Sequence, residues 1–116
     1  MPLYAVLIYA DDSAHALDAT EADLAEPDGH GDELAASGAM RAAYAFTPRA
    51  LAKTIRPDGV ADGPFIDAPH AVAGVYVIEA ADEDAALALA GTNPVIRGSG
   101  GVEVRRVHSG GTIPEP

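Results

Sequence analysis

The sequence predicts an α+β chain in which an antiparallel sheet carries its helices on one face. Three observations lead there. Residues 3–10 and 72–80 are apolar at both alternating sets of positions, the pattern of strands enclosed from two sides. Each is followed by a stretch that opens on acidic residues and helix-capping chemistry. Between these two units lies a pair of shorter alternating segments, which adds a hairpin to the sheet.

Taken in order, the first strand sets Leu3, Ala5, Leu7 and Tyr9 on one side and Tyr4, Val6, Ile8 and Ala10 on the other, so it belongs in the middle of a sheet. Thr20 with Asp23 three residues on forms the signature of a capping box. Pro27 is expected to kink or stop the helix, because proline lacks the helical N–H. A second helical piece over residues 31–37 then ends at Gly38, the favoured residue just past a helix end. Residues 40–46 and 51–56 read as two strands joined into a hairpin by Thr47-Pro48-Arg49-Ala50. A loop from Pro57 to Ala71 carries Asp62-Gly63-Pro64-Phe65, a tight-turn sequence. Phe65 is expected there as an aromatic anchor buried against the domain.

After the strand at 72–80, Asp82 caps a helix with Glu83 and Asp84 in its first turn, where the helix dipole favours acids. That helix should end at Gly91, before Asn93-Pro94. The last strand, 102–107, alternates Val102 and Val104 with Glu103 and Arg105. Residues 1–108 thus make one domain and 109–116 a flexible C-terminal tail, rich in glycine and proline. The order βα, ββ, βα, β is the split β-α-β pattern of a ferredoxin-like domain. Helices cover only one face of such a sheet, so the other apolar face calls for a second copy of the chain.

Composition narrows the functional classes. The 116 residues include 25 alanines among the hydrophobic 48%, which leaves few large side chains for a core and again favours a homodimer. Eighteen acids against seven bases give a net charge of -11, and residues 1–38 hold nine acids and no Lys or Arg. Such a charge repels phosphate backbones and anionic lipid, which disfavours nucleic-acid and membrane partners. With no cysteine there is no thiol nucleophile or thiolate metal site. The N-terminus lacks a basic region ahead of its apolar run, and no apolar stretch nears the ~20 residues of a membrane helix. A cytoplasmic protein is expected.

Asp62-Gly63-Pro64-Phe65, then Gly74-Val75-Tyr76-Val77-Ile78, an acid-started helix and Val102-Glu103-Val104-Arg105, with Leu7-Ile8-Tyr9 at the start, follow in a set order. That order resembles the YCII-related family, specifically its DGPF branch, over roughly residues 3–107. The resemblance implies a ferredoxin-like fold that dimerises into an α/β barrel. The wider family is thought to use a His on the first helix and an Asp before a late proline. Counted back from Gly38, the His position falls on Pro27, with His30 about one turn further along; the acid position falls on Asn93, an amide. An amide can orient a His or a ligand carbonyl but cannot act as a base. Family members follow the tetrapeptide with an acid and a Lys-Glu pair. Here Asp67 keeps the acid while Pro69 and His70 replace the pair, and His15 stands where DGPF relatives often carry an aromatic.

Asp67 and His70 are the candidate catalytic pair, because imidazole titrates near physiological pH and a carboxylate fixes its tautomer. Arg41, Tyr44 and Arg97 are candidate recognition groups for an anionic or carbonyl-bearing small molecule. Gly98-Ser99-Gly100-Gly101, which follows Arg97, offers backbone N–H groups for an anion nest. Asp62, His15, His30 and Asn93 complete the ligand-binding candidates. Asp11, His15 and His30 lack the close spacing of a metal site, so neither metal nor cofactor is expected. The function expected is a small-molecule-binding or regulatory module acting as a homodimer, in line with the association of DGPF-type proteins with extracytoplasmic-function sigma factors. The alternative is a cofactor-independent enzyme of proton-transfer, lyase or isomerase type using a His/Asp pair, as in other dimeric α/β barrels.

Overall fold

A computed structural model of the chain describes residues 1–113, apart from the side chains of residues 26 and 27; the last part of the expected tail, 114–116, lies outside the described residues. The elements run β1 (Leu3–Ala10), α1 (Glu21–Ala36), β2 (Met40–Ala45), β3 (Lys53–Arg56), β4 (Gly59–Asp62), β5 (Ala71–Glu79), α2 (Glu83–Ala90) and β6 (Gly101–Arg106). Short 3-10 turns cover Arg49–Leu51 and Pro94–Arg97.

Four strands form one antiparallel sheet in the order β2-β5-β1-β6. The two strands apolar on both faces, β1 and β5, are the central pair, and each helix connects strands that have another strand between them. Cross-strand partners share a face, so the register sorts the side chains. Tyr4, Val6 and Ile8 align with Ile78, Tyr76 and Gly74 on β5, and with Val104 and Val102 on β6. This face, with Met40, packs against Leu34 of α1 and against Ala86, Leu89 and Ala90 of α2. Among the described residues, the large side chains that are fully enclosed are Ile78 and Val6. The small residues of α2 let its backbone lie close to the sheet.

The opposite face carries Leu3, Ala5 and Leu7 beside Val75 and Val77, with Ala42 and Tyr44 on β2. No element of the described residues covers it, and Tyr44 is 66% exposed. Arg41 pairs with Glu79 along one edge, and Glu103 approaches Arg105 at 4.0 Å along the other.

Three expectations are corrected. First, α1 runs unbroken through residue 27. A helical proline removes one backbone hydrogen bond, and both ends of this helix are well secured. Thr20 and Asp23 form the reciprocal capping box, and Gly38, with φ +80°, follows the C-cap in the left-handed region that glycine accepts. Second, β2 does not pair with β3. It joins β5 in the main sheet, Arg49–Leu51 is a 3-10 turn, and β3 pairs with β4 as a separate two-stranded hairpin closed by Pro57-Asp58. The segment read as a loop from Pro57 therefore contains a strand, since proline and aspartate close a two-residue turn readily.

Third, Phe65 is not buried. It is 57% exposed, with the Arg56 guanidinium stacked over its ring at 4.1 Å. The turn before it is fastened through other groups: the Thr54 hydroxyl donates to the Gly63 carbonyl at 2.8 Å, and Gly63 N–H donates to the Ala52 carbonyl at 2.8 Å. Ile55 and Val60, cross-strand partners in the hairpin, are also largely exposed. No helix among the described residues is long and apolar enough to cross a membrane.

Candidate functional site

Sheet and helix separate where α1 carries glycine instead of packing side chains. Gly29 and Gly31 both have open space around the position a Cβ would take, and being two residues apart they point to different sides of the helix. Beneath Gly31 is a cavity of about 670 Å³, walled by α1, the β2–β5 side of the sheet, the loop after β1 and the Pro94–Arg97 turn. Its volume lies in the range of small-molecule sites, which combine apolar walls with a few placed polar groups. The walls include Ile8, Leu34, Met40, Ala43, Ala73 and Val95.

Three polar side chains enter from different elements. His30 comes from α1, Tyr76 from β5, and Asn93 from the start of the 3-10 turn. The rings of His30 and Tyr76 meet edge to face with centroids 6.5 Å apart. Tyr76 is 4% exposed. Its hydroxyl and His30 Nε2 are both shut from solvent without a hydrogen-bond partner. Native proteins seldom leave such atoms unpaired, and a water molecule or a ligand group in the cavity would satisfy them. Burial lowers the pKa of His30; nearby Glu33 opposes this and Arg97 reinforces it. The imidazole is therefore neutral at pH 7. Burial likewise raises the pKa of Tyr76, keeping the phenol protonated. Asn93 lies near enough to that hydroxyl to offset the shift in part, but no well-formed hydrogen bond joins them. Its own Oδ1 accepts from Val95 N–H at 3.0 Å and fixes the turn.

At the rim, His15 Nε2 lies 3.0 Å from Asp28 Oδ1, a bond between the loop after β1 and α1. The His15 backbone N–H donates to Ser13 Oγ, and the Ser13 hydroxyl donates to the Phe46 carbonyl. Asp12 and Asp32 also face the cavity, and Tyr44 borders it from β2.

Asp67 and His70 do not line this cavity. Asp67 is solvent-exposed, 3.9 Å from Arg49, whereas His70 Nε2 lies 3.4 Å from Asp11 Oδ1. Arg49 holds their loop by donating to the carbonyls of Ala68 and Pro69. Asp11 also accepts from the Ser99 hydroxyl at 3.1 Å, so the glycine-rich segment offered as an anion nest has a carboxylate beside it. That segment borders a second, more open recess with Arg97. Arg41 donates to Glu79 and to the Gly38 carbonyl, away from the cavity. Asp62 pairs with Lys53 across the hairpin.

Of the residues singled out from sequence, His15, His30 and Asn93 are brought together at one cavity; Tyr44 borders it from β2 but by register belongs to the uncovered sheet face, whereas Asp67, His70, Arg41, Asp62 and Arg97 lie elsewhere. Tyr76 and Asp28 were missed. Tyr76 reads as one more apolar strand residue, and Asp28 as one of nine acids in its region, so neither carries a local signal. Among the described residues, no three His, Asp or Glu side chains converge as a metal site.

Fold and cavity define a small α+β protein built around a split β-α-β sheet with a hollow between sheet and first helix. The chain matches the YCII-related domain over residues 2–109 and belongs to that family. No curated protein matches it.

Proposed function

We propose that this YCII-related chain, of the DGPF branch, is a small-molecule-binding module that works as a homodimer. The observation that carries the reading is the cavity whose buried His30 Nε2 and Tyr76 hydroxyl have no partner within the chain. A screen of small molecules by thermal shift tests it, because a ligand of the native state raises the melting temperature by mass action. Hits should lose their effect in Gly31→Leu, which places a side chain in the open space under α1. A library without hits, or hits that bind Gly31→Leu equally well, would overturn the reading.

The homodimer is supported by the apolar sheet face left uncovered and by a core that, among the described residues, fully encloses two large side chains. Two such faces stacked together make the dimeric α/β barrel. With a net charge of -11, neither nucleic acid nor an anionic membrane is a partner in this reading, and the protein works in the cytoplasm.

One observation favours a second reading, a cofactor-independent enzyme. Asp28 orients His15 at the cavity rim, which is the arrangement of a general base with its tautomer fixed by a carboxylate. Proton transfer, isomerisation or a lyase step is the chemistry it suits. Turnover of a thermal-shift hit, lost in His15→Gln while binding persists, would decide for catalysis.

A further inference from the structure

The expected anion-recognising arginines do not line the cavity. Arg41 is engaged with Glu79, and Arg97, which is not free either, belongs to the second recess. What faces the cavity is acidic: Asp12, Asp28 and Asp32 contribute to its lining, without a single Lys or Arg among the described lining residues. Inside, the two unpartnered atoms belong to a phenol and to an imidazole that faces desolvation. Both can accept a hydrogen bond when the imidazole is neutral. A group that donates more than one hydrogen bond, carries positive charge and sits on an apolar body matches all three properties.

We infer that the ligand of this cavity is a hydrophobic amine: its ammonium group donates to the His30 and Tyr76 acceptors and is attracted through space by the acidic rim, and its apolar body lies against the aliphatic walls. The inference rests on the cavity being the ligand site. Carboxylates and phosphates are disfavoured, because the three lining aspartates outnumber the single charge of Arg97, which reaches His30 from outside the lining. Neutral analogues enter through the apolar walls alone and bind more weakly.

A matched series separates charge from shape: 4-phenylbutylamine, 4-phenylbutanol and 4-phenylbutyrate share one body and differ in the head group. Titration calorimetry on the full chain should give the amine roughly tenfold tighter binding than the alcohol, the scale of one partly screened charge contact, and no binding of the acid. Raising the salt concentration should weaken the amine and leave the alcohol unchanged. In the double variant Asp28→Asn/Asp32→Asn the ratio of amine to alcohol affinity should fall close to one. The charge assignment is overturned if the acid binds as well as the amine, or if the amine's advantage survives in the double variant. If all three fail to bind, or bind Gly31→Leu undiminished, the cavity itself is not the site, and the amine assignment falls with it.

Discussion

Tyr76 shows how far a single residue can differ from its sequence pattern. On β5 it fills an ordinary inward position opposite Val6, and only its hydroxyl, enclosed and unpaired, distinguishes it from Phe. Tyr76→Phe should therefore leave the urea midpoint unchanged or raise stability by up to ~1 kcal/mol, since an unsatisfied buried polar group is removed. The affinity for the cavity ligand should fall in the same variant. His30 gives a pH signature. Its folded pKa lies below the usual 6.5, so as pH falls the unfolded chain takes up this proton first. Its contribution is complete above about 6.5 and is lost as the pH drops from there to the folded value. The difference in melting temperature between the wild type and His30→Gln should therefore shift against the wild type between pH 7 and pH 5, while a difference independent of pH would show that His30 does not titrate in this way. The sequence marked Asn93 at a family position and His30 about one turn beyond the family's His position, which falls on Pro27. It did not mark Tyr76, because inclusion in a core and service at a cavity wall require the same strand pattern.

At the scale of elements, alternation and caps were legible, and pairing was less so. β1, β5, β6 and α2 lie within a residue or two of their expected bounds, since their burial follows local periodicity. The partner of β2 was misassigned because proximity in sequence favours a hairpin, whereas its pairing with β5 buries Met40 beside Ile78 and a local turn gains nothing similar. Pro27 looked like a stop because a helix break is a local rule, yet both ends of α1 are held by groups distant from it. The glycines of α1 fit the same account, as each weakens the helix by ~0.5–1 kcal/mol relative to alanine. Gly29→Ala should raise the denaturant midpoint accordingly. Gly31→Ala should do the same but reduce ligand affinity, because its Cβ enters the cavity lining; equal affinity in both variants would separate the glycine from the site.

For the whole molecule, the radius of gyration of 15.2 Å exceeds the ~13 Å of a compact chain this long, in keeping with a hairpin packed mostly on itself and an uncovered sheet face. If that face is the dimer contact, Val77→Glu should leave the helical circular dichroism intact and reduce the mass by light scattering from twice the monomer to the monomer. A wild type that is monomeric at every accessible concentration would refute the association itself. That the central strands are apolar on both faces was legible in the sequence; what lies against the second face was not, because one chain's periodicity carries no information about a neighbour.

The cavity draws His30 from the first half of the chain and Tyr76 and Asn93 from the second. It cannot exist in either β-α unit alone. During folding it appears only when β5 has inserted beside β1, a closure that pairs residues as far apart as Leu3 and Glu79, and such distant contacts form slowly. The cavity is thus a late feature, arriving with the native sheet and not with any local element. A bound molecule should accordingly slow hydrogen exchange in both halves together, acting as a clasp on the complete fold.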